Sequence, residues 1–500
     1  MDIVSYLMGK ASGGGSPTPP PEAPDNDVNF IDYDGRIVYS YSAADFLALT
    51  ELPENPTHEG LTAQGWNWTL ENAQTFVAET GMLDIGQSYI TDDGKTRLFI
   101  SLDETSLSPH FGPCVNGSVV IDWGDGSELE TVTGTSVTSA KDIPHTYSTP
   151  GDYVITMDVT GTTGFTGESS TGASVLWNGI NAGSQNYRMA LKHVELGENV
   201  VELRSYAFSG CGCLKTITIP KEVYAASNSK VNNGLFDNCY SLSALVFPSG
   251  LKSSSLTAKN AYSLIRLCYP DTMIGNNTNV CSGCTSLRRV TSKTSITGSA
   301  SYQNCSSLRE IATSSSAATI GTQAFQFCTG LKKVRLYEGL NTISSRAFEG
   351  CMSLTEITIP STVTSMGQNM FAYCSKLESA RFLNSPTSIP TNMFYECTSL
   401  TNVTIPDSVT SIAENAFIKC RSLVSLTIPA NVTSIGNAAI NGVSSLQEIH
   451  FKSTTPPTLA SSIAVSPPTT CKIYVPAGTL AAYTSAANYP SASTYTYVEE

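Results

Sequence analysis

The chain has 500 residues, of which 41% are hydrophobic and 14% charged, a composition typical of a folded protein with several domains or a repeat array. Its formal net charge of −14 is uneven: residues 1–194 carry 25 acidic and 7 basic residues, whereas residues 195–500 carry 17 acidic and 21 basic residues. Different partners for the two halves and plain solubility both fit this asymmetry. No run approaches the ~18 apolar residues of a membrane span. We expect neither membrane insertion nor a nucleic-acid partner.

The first 27 residues predict an attachment segment on a linker. Residues 1–10 fit about two turns of helix, which are marginal alone and need a partner to dock on. The apolar side chains on the predicted docking side are Ile3, Val4, Leu7 and Met8. Asp2 and the short apolar stretch do not fit a secretory signal peptide. Residues 11–27 are Gly/Ser-rich and then Pro-rich, which indicates a hinge followed by an extended spacer. A disordered terminus is the alternative interpretation.

Residues 28–94 predict a small α+β domain. The segment NFIDYDGRIVYSY alternates around Asp34–Gly35 and is typical of a hairpin. Two helices are predicted next, one with Ser42 as its N-cap and one, TLENAQTFVAET, that ends at Gly81. The stretch QSYITDDGKTRLFISL predicts a second hairpin, with its turn at Asp93–Gly94.

Residues 95–162 predict a β-sandwich. A strand ending at Trp123 is followed by a Gly-Asp-Gly turn, and a later segment has the pattern His-x-Tyr-x-x-x-Gly-x-Tyr from His145 to Tyr153. These residues resemble the PKD-type immunoglobulin-like domain, in which the aromatic rings supply core area and the glycines supply turn dihedrals. Asp122 and Asp125 could hold a cation, but turn hydrogen bonds are the favoured role for them.

From about residue 195 the chain repeats with a period of 23 residues, the strongest signal in the sequence. In each unit a Leu-x-x-Ile-x-Ile stretch predicts a strand, and an Ala-Phe-x-x-Cys stretch predicts a helical or 3₁₀ turn on the other wall. One such unit cannot bury its own apolar face, but stacked units can. The fold class is therefore mainly β and multi-domain, with a solenoid of about eleven coils over residues 195–451. Residues 163–194 are its predicted connector or N-terminal cap.

The unit resembles the BspA-type leucine-rich repeat, whose consensus is IP-x-x-V-x-x-I-x-x-x-A-F-x-x-C-x-x-L. The resemblance implies a leucine-rich-repeat solenoid. The tail CKIYVPAGTLAAYTSAANYP also resembles the C-terminal capping segment of such proteins. We therefore expect a cap at residues 452–500, since the last coil would otherwise expose an apolar face and an open sheet edge.

A cysteine recurs at every 23rd position. The members of this ladder are Cys305, Cys328, Cys351, Cys374, Cys397 and Cys420. A zinc site needs paired ligands, and only Cys281 and Cys284 have Cys-x-x-Cys spacing. Disulfides are disfavoured because each interior cysteine has two equivalent neighbours. We interpret the ladder as small buried packing residues, in the place that Val443 takes in the last repeat. We expect no metal and no cofactor.

The sequence indicates a binding protein rather than an enzyme, because no His-Glu-x-x-His, Gly-x-Ser-x-Gly or dinucleotide glycine motif occurs. The N-terminal region resembles the starts of structural proteins encoded by phages of gut bacteria. That resemblance implies a non-enzymatic virion protein, fibre-like and part of a tail, baseplate or head. It would join other virion proteins through its N-terminus and bind a bacterial surface glycan or protein through its repeats. The alternatives are an extracellular bacterial cell-surface adhesin and a purely structural decoration protein. A homo-oligomer stays open, although no coiled-coil heptad supports one.

We expect the binding site at outward strand positions on adjacent coils. A basic cluster occupies such positions on three successive coils of an otherwise acidic protein. Its predicted ligand is an anionic cell-surface glycan or a teichoic-acid-like polymer. A solvated face is the alternative interpretation. The cluster consists of Arg288, Arg289, Arg309, Lys332, Lys333 and Arg335.

Overall fold

A computed structural model describes most of the chain. The described residues are 25–166, 176–177, 189–204, 206–221, 223, 234–249, 257–271, 280–292, 298–461 and 465–500. The predicted docking residues Ile3, Val4, Leu7 and Met8 lie outside this set, as does most of the predicted linker. No helix within it is long and apolar enough to cross a membrane.

The N-terminal domain, residues 25–94, is a four-stranded sheet with two helices on one face. Its strands are β1 (Val28–Ile31), β2 (Ile37–Tyr41), β3 (Leu61–Trp66) and β4 (Leu83–Thr91), in the order β2-β1-β4-β3. Helix α1 (Ala43–Leu47) is capped by the Ser42 side chain, and α2 (Leu70–Thr80) ends at Gly81, whose φ is 71°. The antiparallel pairing of β1 with β2 confirms the first predicted hairpin, and both predicted helices are confirmed.

The second predicted hairpin is wrong. A turn does form, since the Gly94 N–H donates to the Thr91 carbonyl over 3.3 Å. However, β4 pairs with β1 and β3, whereas the strand after the turn, β5 (Thr96–Leu102), belongs to the next sheet. Turn chemistry therefore predicted the reversal of the chain but not the partners of the flanking strands.

The next region consists of a seven-stranded sheet and a three-stranded sheet. Its further strands are β6 (His110–Phe111), β7 (Pro113–Asp122), β8 (Glu130–Ala140), β9 (Ile143–Pro144), β10 (Gly151–Phe165), β11 (Leu176–Trp177), β12 (Leu191–Glu195), β13 (Val200–Leu203) and β14 (Thr216–Thr218). The large sheet has the order β14-β12-β5-β10-β7-β8, with β13 paired to β10, and the small one has the order β11-β6-β9. Because β12 and β14 already belong to the repeats, this sheet covers the first coil of the solenoid.

The solenoid has about twelve coils, from about residue 193 to residue 499, and the predicted fold class is confirmed. After β14, its main row of parallel strands continues with Ala244–Val246, Arg266–Cys268, Arg289–Ser292, Glu310–Thr313, Lys333–Arg335, Glu356–Ile359, Ser379–Phe382, Asn402–Val403, Ser425–Ile428, Glu448–Phe451, Lys472–Val475 and Thr496–Glu499. A second row, not foreseen from the sequence, consists of Thr319–Ile320, Thr342–Ile343, Ser365–Met366, Ser388–Ile389, Ser411–Ile412, Ser434–Ile435 and Thr458–Leu459. The short strands Ile440–Asn441 and Val465–Ser466 pair with each other.

The Ala-Phe-x-x-Cys segments form hydrogen-bonded turns, not the helical or 3₁₀ turns predicted for them. Two residues per coil have positive φ, for example Gln323 (57°) and Phe327 (59°) in the coil of Cys328. Left-handed residues cannot continue a right-handed helix, so the chain reverses within these few residues.

The C-terminal end closes with helix α3 (Leu480–Ser485), which lies between the last two strands of the main row. The ring of Tyr483 is fully buried and lies 5.3 Å from that of Phe451, measured between centroids. An aromatic side chain of this closing helix thus packs on the coil that contains Phe451.

Candidate binding surface

The outer face of the main strand row is divided, because the N-terminal domain covers its first part. Strand β4 packs across the strands that contain Val246 and Cys268, and Ile31 and Ile37 join these two side chains in a small apolar cluster. A Cβ atom on Gly86 would lie 2.4 Å from Val246 Cγ1 and 2.9 Å from Cys268 Cβ. The absence of a side chain at Gly86 therefore lets the two sheets meet.

A buried ion network crosses this interface. Asp84 accepts hydrogen bonds from Arg289 at 3.1 Å and from Arg266 at 3.4 Å, and Asp25 accepts from Arg266 at 2.9 Å. The side chains of Arg266 and Asp84 are 2% and 4% exposed. Burial by itself would raise the pKa of Asp25, but the hydrogen bond and charge of Arg266 outweigh it and leave this pKa below its usual value. Removing one member would leave an uncompensated buried charge.

Helix α2 is held against the repeats at its C-terminal end. The Arg335 guanidinium donates to the Thr80 carbonyl over 2.9 Å. A cation is favoured there because the last carbonyls of a helix lack partners and carry the negative end of its dipole. The Glu79 carboxylate accepts from the Ser315 N–H at 3.1 Å and from its hydroxyl at 2.8 Å.

Neutral groups complete the interface. The Trp68 indole N–H donates to the Tyr269 carbonyl over 2.7 Å, and the Asn67 amide donates to the Phe247 carbonyl over 3.0 Å. Residues 25–94 hold 13 acidic residues and one basic residue, a formal charge of −12. Docking of this acidic domain on arginines of the repeats accounts for part of the charge asymmetry in the sequence.

The structure divides the six predicted binding residues into two groups. Arg289 and Arg335 hold the N-terminal domain, so the prediction that they lie on an exposed face is wrong for these two. Arg288, Arg309 and Lys332 are exposed. Lys333 is exposed as well and forms an ion pair with Glu310 at 3.3 Å. A binding role for the exposed cations stays a prediction.

Arg288, Arg309 and Lys332 form what we call the basic rim. They lie in register, since the Arg309 N–H donates to the Arg288 carbonyl and the Lys332 N–H donates to the Arg309 carbonyl, both over 2.9 Å. Within the described part of the chain, none of the three side chains has a carboxylate at ion-pair distance. Three cations thus stand one coil apart, at a spacing of ~4.8 Å, without neutralisation by the fold.

Later strands of the main row present exposed polar positions. Outward residues there include Glu356, Thr358, Arg381, Asn402 and Thr404, all of which are exposed. This part of the strand face follows the docked N-terminal domain along the solenoid.

The cysteine ladder lies inside the solenoid. All six thiols are free and buried, and each donates to a backbone carbonyl of the preceding coil. Cys397 donates to the Phe371 carbonyl over 3.1 Å and Cys420 to the Phe394 carbonyl over 3.2 Å. Burial raises the pKa of Cys374 to about 12. The rings of Phe371 and Phe394 stack at 5.9 Å beside the thiols. In this geometry the cysteines fill the core and weakly bridge adjacent coils.

The aspartates of the sandwich region are engaged in turn hydrogen bonds. Asp122 accepts a backbone N–H two residues later at 2.9 Å, and Asp125 accepts from the Ser127 N–H at 3.0 Å and from His145 at 2.9 Å. Burial would raise the pKa of Asp125, but the hydrogen bonds from Ser127 and His145 lower it to about 2. The His145 ring stacks on Trp123 at 4.3 Å. The resemblance to PKD-type domains stays a prediction.

Among the residues that the structure describes, no three His, Cys, Asp or Glu side chains come together as metal ligands would. Sequence reasoning missed Arg266 and Asp84, the centre of the ion network. They are 182 residues apart in the chain, and the only signal that linked them was the uneven charge of the two halves.

Several solved structures are similar to this chain. A leucine-rich repeat protein from Bacteroides ovatus is 21% identical, with a TM-score of 0.44, and the match covers 71% of this chain and 90% of that one. A leucine-rich cell surface protein from Faecalibacterium prausnitzii is 20% identical, with a TM-score of 0.29 and coverages of 63% and 81%. The leucine-rich repeat protein of T. pallidum is 27% identical, with a TM-score of 0.26 and coverages of 32% and 72%. No curated protein matches the chain.

A family model gives a direct match to the repeats. The model for the BspA type leucine rich repeat region matches in six copies, over residues 180–300, 294–424 and 369–464. These segments together span more than half of the chain and coincide with the solenoid. The chain therefore belongs to the BspA-type leucine-rich repeat family.

Proposed function

We propose that this chain is a non-enzymatic recognition protein of the adhesin type, which binds an anionic polymer of a cell surface through the basic rim. The observation that supports the proposal is the contrast between two sets of cations on neighbouring positions. Arg266, Arg289 and Arg335 are bound by the N-terminal domain, whereas Arg288, Arg309 and Lys332 are exposed and in register. Phosphate or carboxylate groups along a polymer would neutralise the exposed row at one group per coil.

The test is a charge reversal of the rim alone. The variant carries Arg288→Glu, Arg309→Glu and Lys332→Glu, and the probe is a purified poly(glycerol phosphate) wall polymer on a biosensor surface. We expect wild-type binding to weaken with salt and the reversed variant to bind about tenfold more weakly or worse. A matched control reverses three exposed cations elsewhere on the repeats, Lys376, Arg381 and Arg421.

The control separates the rim from total charge, because both triple variants change the net charge equally. Equal binding by the two variants would remove the rim from the proposal. Arg335 is left intact, since its reversal would place a carboxylate against the Thr80 carbonyl and disturb the docked domain.

A second candidate is display on a phage particle rather than on a cell. Its support lies in the sequence of the first 27 residues, an apolar segment with Ile3, Val4, Leu7 and Met8 before a Gly/Ser- and Pro-rich stretch. Deletion of residues 1–10 should then prevent incorporation into particles, as measured by mass spectrometry of purified virions. Incorporation at the normal copy number would contradict this docking role, and absence of the chain from virions would leave the cell-surface placement.

A further inference from the structure

Exposed apolar side chains are concentrated at one edge of the solenoid, in the turn that contains the cysteine ladder. Of the twelve exposed large hydrophobic residues in the described part of the chain, five directly precede or follow a cysteine position of the repeat. The positions directly before and after the cysteine are only two of the 23 in a repeat, so a chance distribution would place far fewer exposed hydrophobic residues there. The clustering therefore indicates an interaction surface. The five residues are Tyr240, Tyr262, Phe327, Met352 and Tyr373.

Four side chains at or beside the cysteine positions of four successive coils lie along this edge, and we call them the aromatic edge: Phe327, Met352, Tyr373 and Tyr395. The Phe327 ring lies against Gly350, where a Cβ atom would approach its Cδ1 to 2.4 Å. The rings of Tyr373 and Tyr395 are 5.2 Å apart between centroids. Phe327, Met352 and Tyr373 are 40%, 45% and 40% exposed, so the strip offers apolar area to solvent.

The backbone at this edge is strained where the aromatic residues occur. Phe327 and Tyr373 have φ values of 59° and 62°, in the left-handed region that bulky residues avoid. Equivalent positions of most other coils hold residues that adopt this conformation most easily, such as Gly283, Gly350 and Asn304, while Glu396 and Lys419 occupy two of them. The fold therefore does not need an aromatic side chain here, and strain of this kind is typical of functional positions.

Polar groups border the rings. The Gln326 amide donates to the Glu349 carboxylate over 2.7 Å, and because both side chains are buried this bond holds neighbouring turns together. Lys419 stands 5.8 Å from the centre of the Tyr395 ring, at the other end of the strip. Exposed ring faces take up the C–H face of a sugar, and the Lys419 ammonium, 40% exposed, offers a donor for its hydroxyls.

The shape of the strip favours a linear ligand. It is one or two residues wide and advances by one coil spacing, ~4.8 Å, per residue. A globular partner would instead require a compact apolar centre surrounded by a rim of further contacts. We propose that the aromatic edge is a binding site for a linear polysaccharide, whose sugar rings stack on Phe327, Tyr373 and Tyr395. Stacking needs no charge on the ligand, so this site does not rest on the basic rim.

The experiment uses the full-length chain and four uncharged linear polysaccharides: mixed-linkage β-glucan, arabinoxylan, glucomannan and galactomannan. Native gels that contain increasing amounts of each polymer give the dissociation constant from the retardation of the protein. We expect retardation by at least one polymer, and binding about tenfold weaker in Phe327→Gly and in Tyr373→Gly. Because glycine suits a positive φ, both variants should unfold within about 2 °C of the wild type.

Two controls define the site. Tyr337→Ala removes an aromatic ring that is 36% exposed outside the aromatic edge, and the charge-reversed basic rim leaves the rings intact. Both should bind the uncharged polymer as the wild type does. Absence of retardation by all four polymers would overturn the proposal, as would wild-type binding by the glycine variants. A dimer in sedimentation that both glycine variants abolish would assign the edge to a second copy of the chain instead.

Discussion

Replacement of Asp84 by alanine should weaken the docking of the N-terminal domain strongly. Asp84 faces both Arg266 and Arg289 and is 4% exposed, whereas Asp25, which also faces both, is 37% exposed. Removal of one partner from a buried ion pair typically lowers the free energy of unfolding by about 3–5 kcal/mol. We expect the lower end, about 3 kcal/mol, because Arg266 keeps Asp25 at 2.9 Å and Arg289 keeps the Asn26 carbonyl at 2.9 Å.

Urea unfolding followed by tryptophan fluorescence measures this effect, since the Trp68 indole donates across the interface to Tyr269. The matched control is Asp158→Ala, which breaks an ion pair with Lys95 at 3.1 Å between side chains 59% and 38% exposed. That pair should contribute less than about 1 kcal/mol. If Asp84→Ala lowers the free energy of unfolding by no more than Asp158→Ala does, the buried network does not hold the N-terminal domain and this prediction is wrong.

Three further predictions concern packing, thiols and pH. Gly86→Ala should lower the free energy of unfolding by about 1–3 kcal/mol, because the new Cβ would lie 2.4 Å from Val246 Cγ1. A second substitution in the same chain, Val246→Ala, should restore part of this stability. Gly151→Ala, whose nearest neighbour would be 3.6 Å away, is the control and should be close to neutral. A thiol reagent added to the native protein should rapidly modify one cysteine per chain. That cysteine is Cys213, since the other 13 are buried. Rapid modification of several cysteines would contradict the buried position of the ladder. The pKa of Asp25 is lower in the folded protein than in the unfolded chain. The stability that this carboxylate gives to the docked domain is therefore complete above the ordinary carboxyl pKa, and it is lost as the pH falls below about 4. Unfolding at pH 7, 5 and 3 should show this loss, and Asp25→Asn should reduce it; equal docking stability at pH 7 and 3 would be inconsistent with the ion network.

The basic cluster shows what the repeat pattern predicts and what it leaves undetermined. The repeat register placed Arg289 and Arg335 at outward strand positions correctly, because their neighbours Val290 and Val334 follow the inward-facing pattern of the coil. It did not show that a domain more than 190 residues upstream lies on that face. A pattern within one repeat carries no information about a contact between surfaces so distant in sequence.

The sequence by itself determined the solenoid, because a 23-residue unit with inward Leu, Ile, Phe and Cys buries its apolar face by stacking on the neighbouring units. It also determined the first hairpin and both helices of the N-terminal domain, since caps and turn residues act within a few positions. Only the tertiary structure decided which cations are free. The geometry at Gly86, Asp84 and Arg266 depends on two sheets that meet face to face, and their mutual position is set by shape and charge that no local pattern encodes.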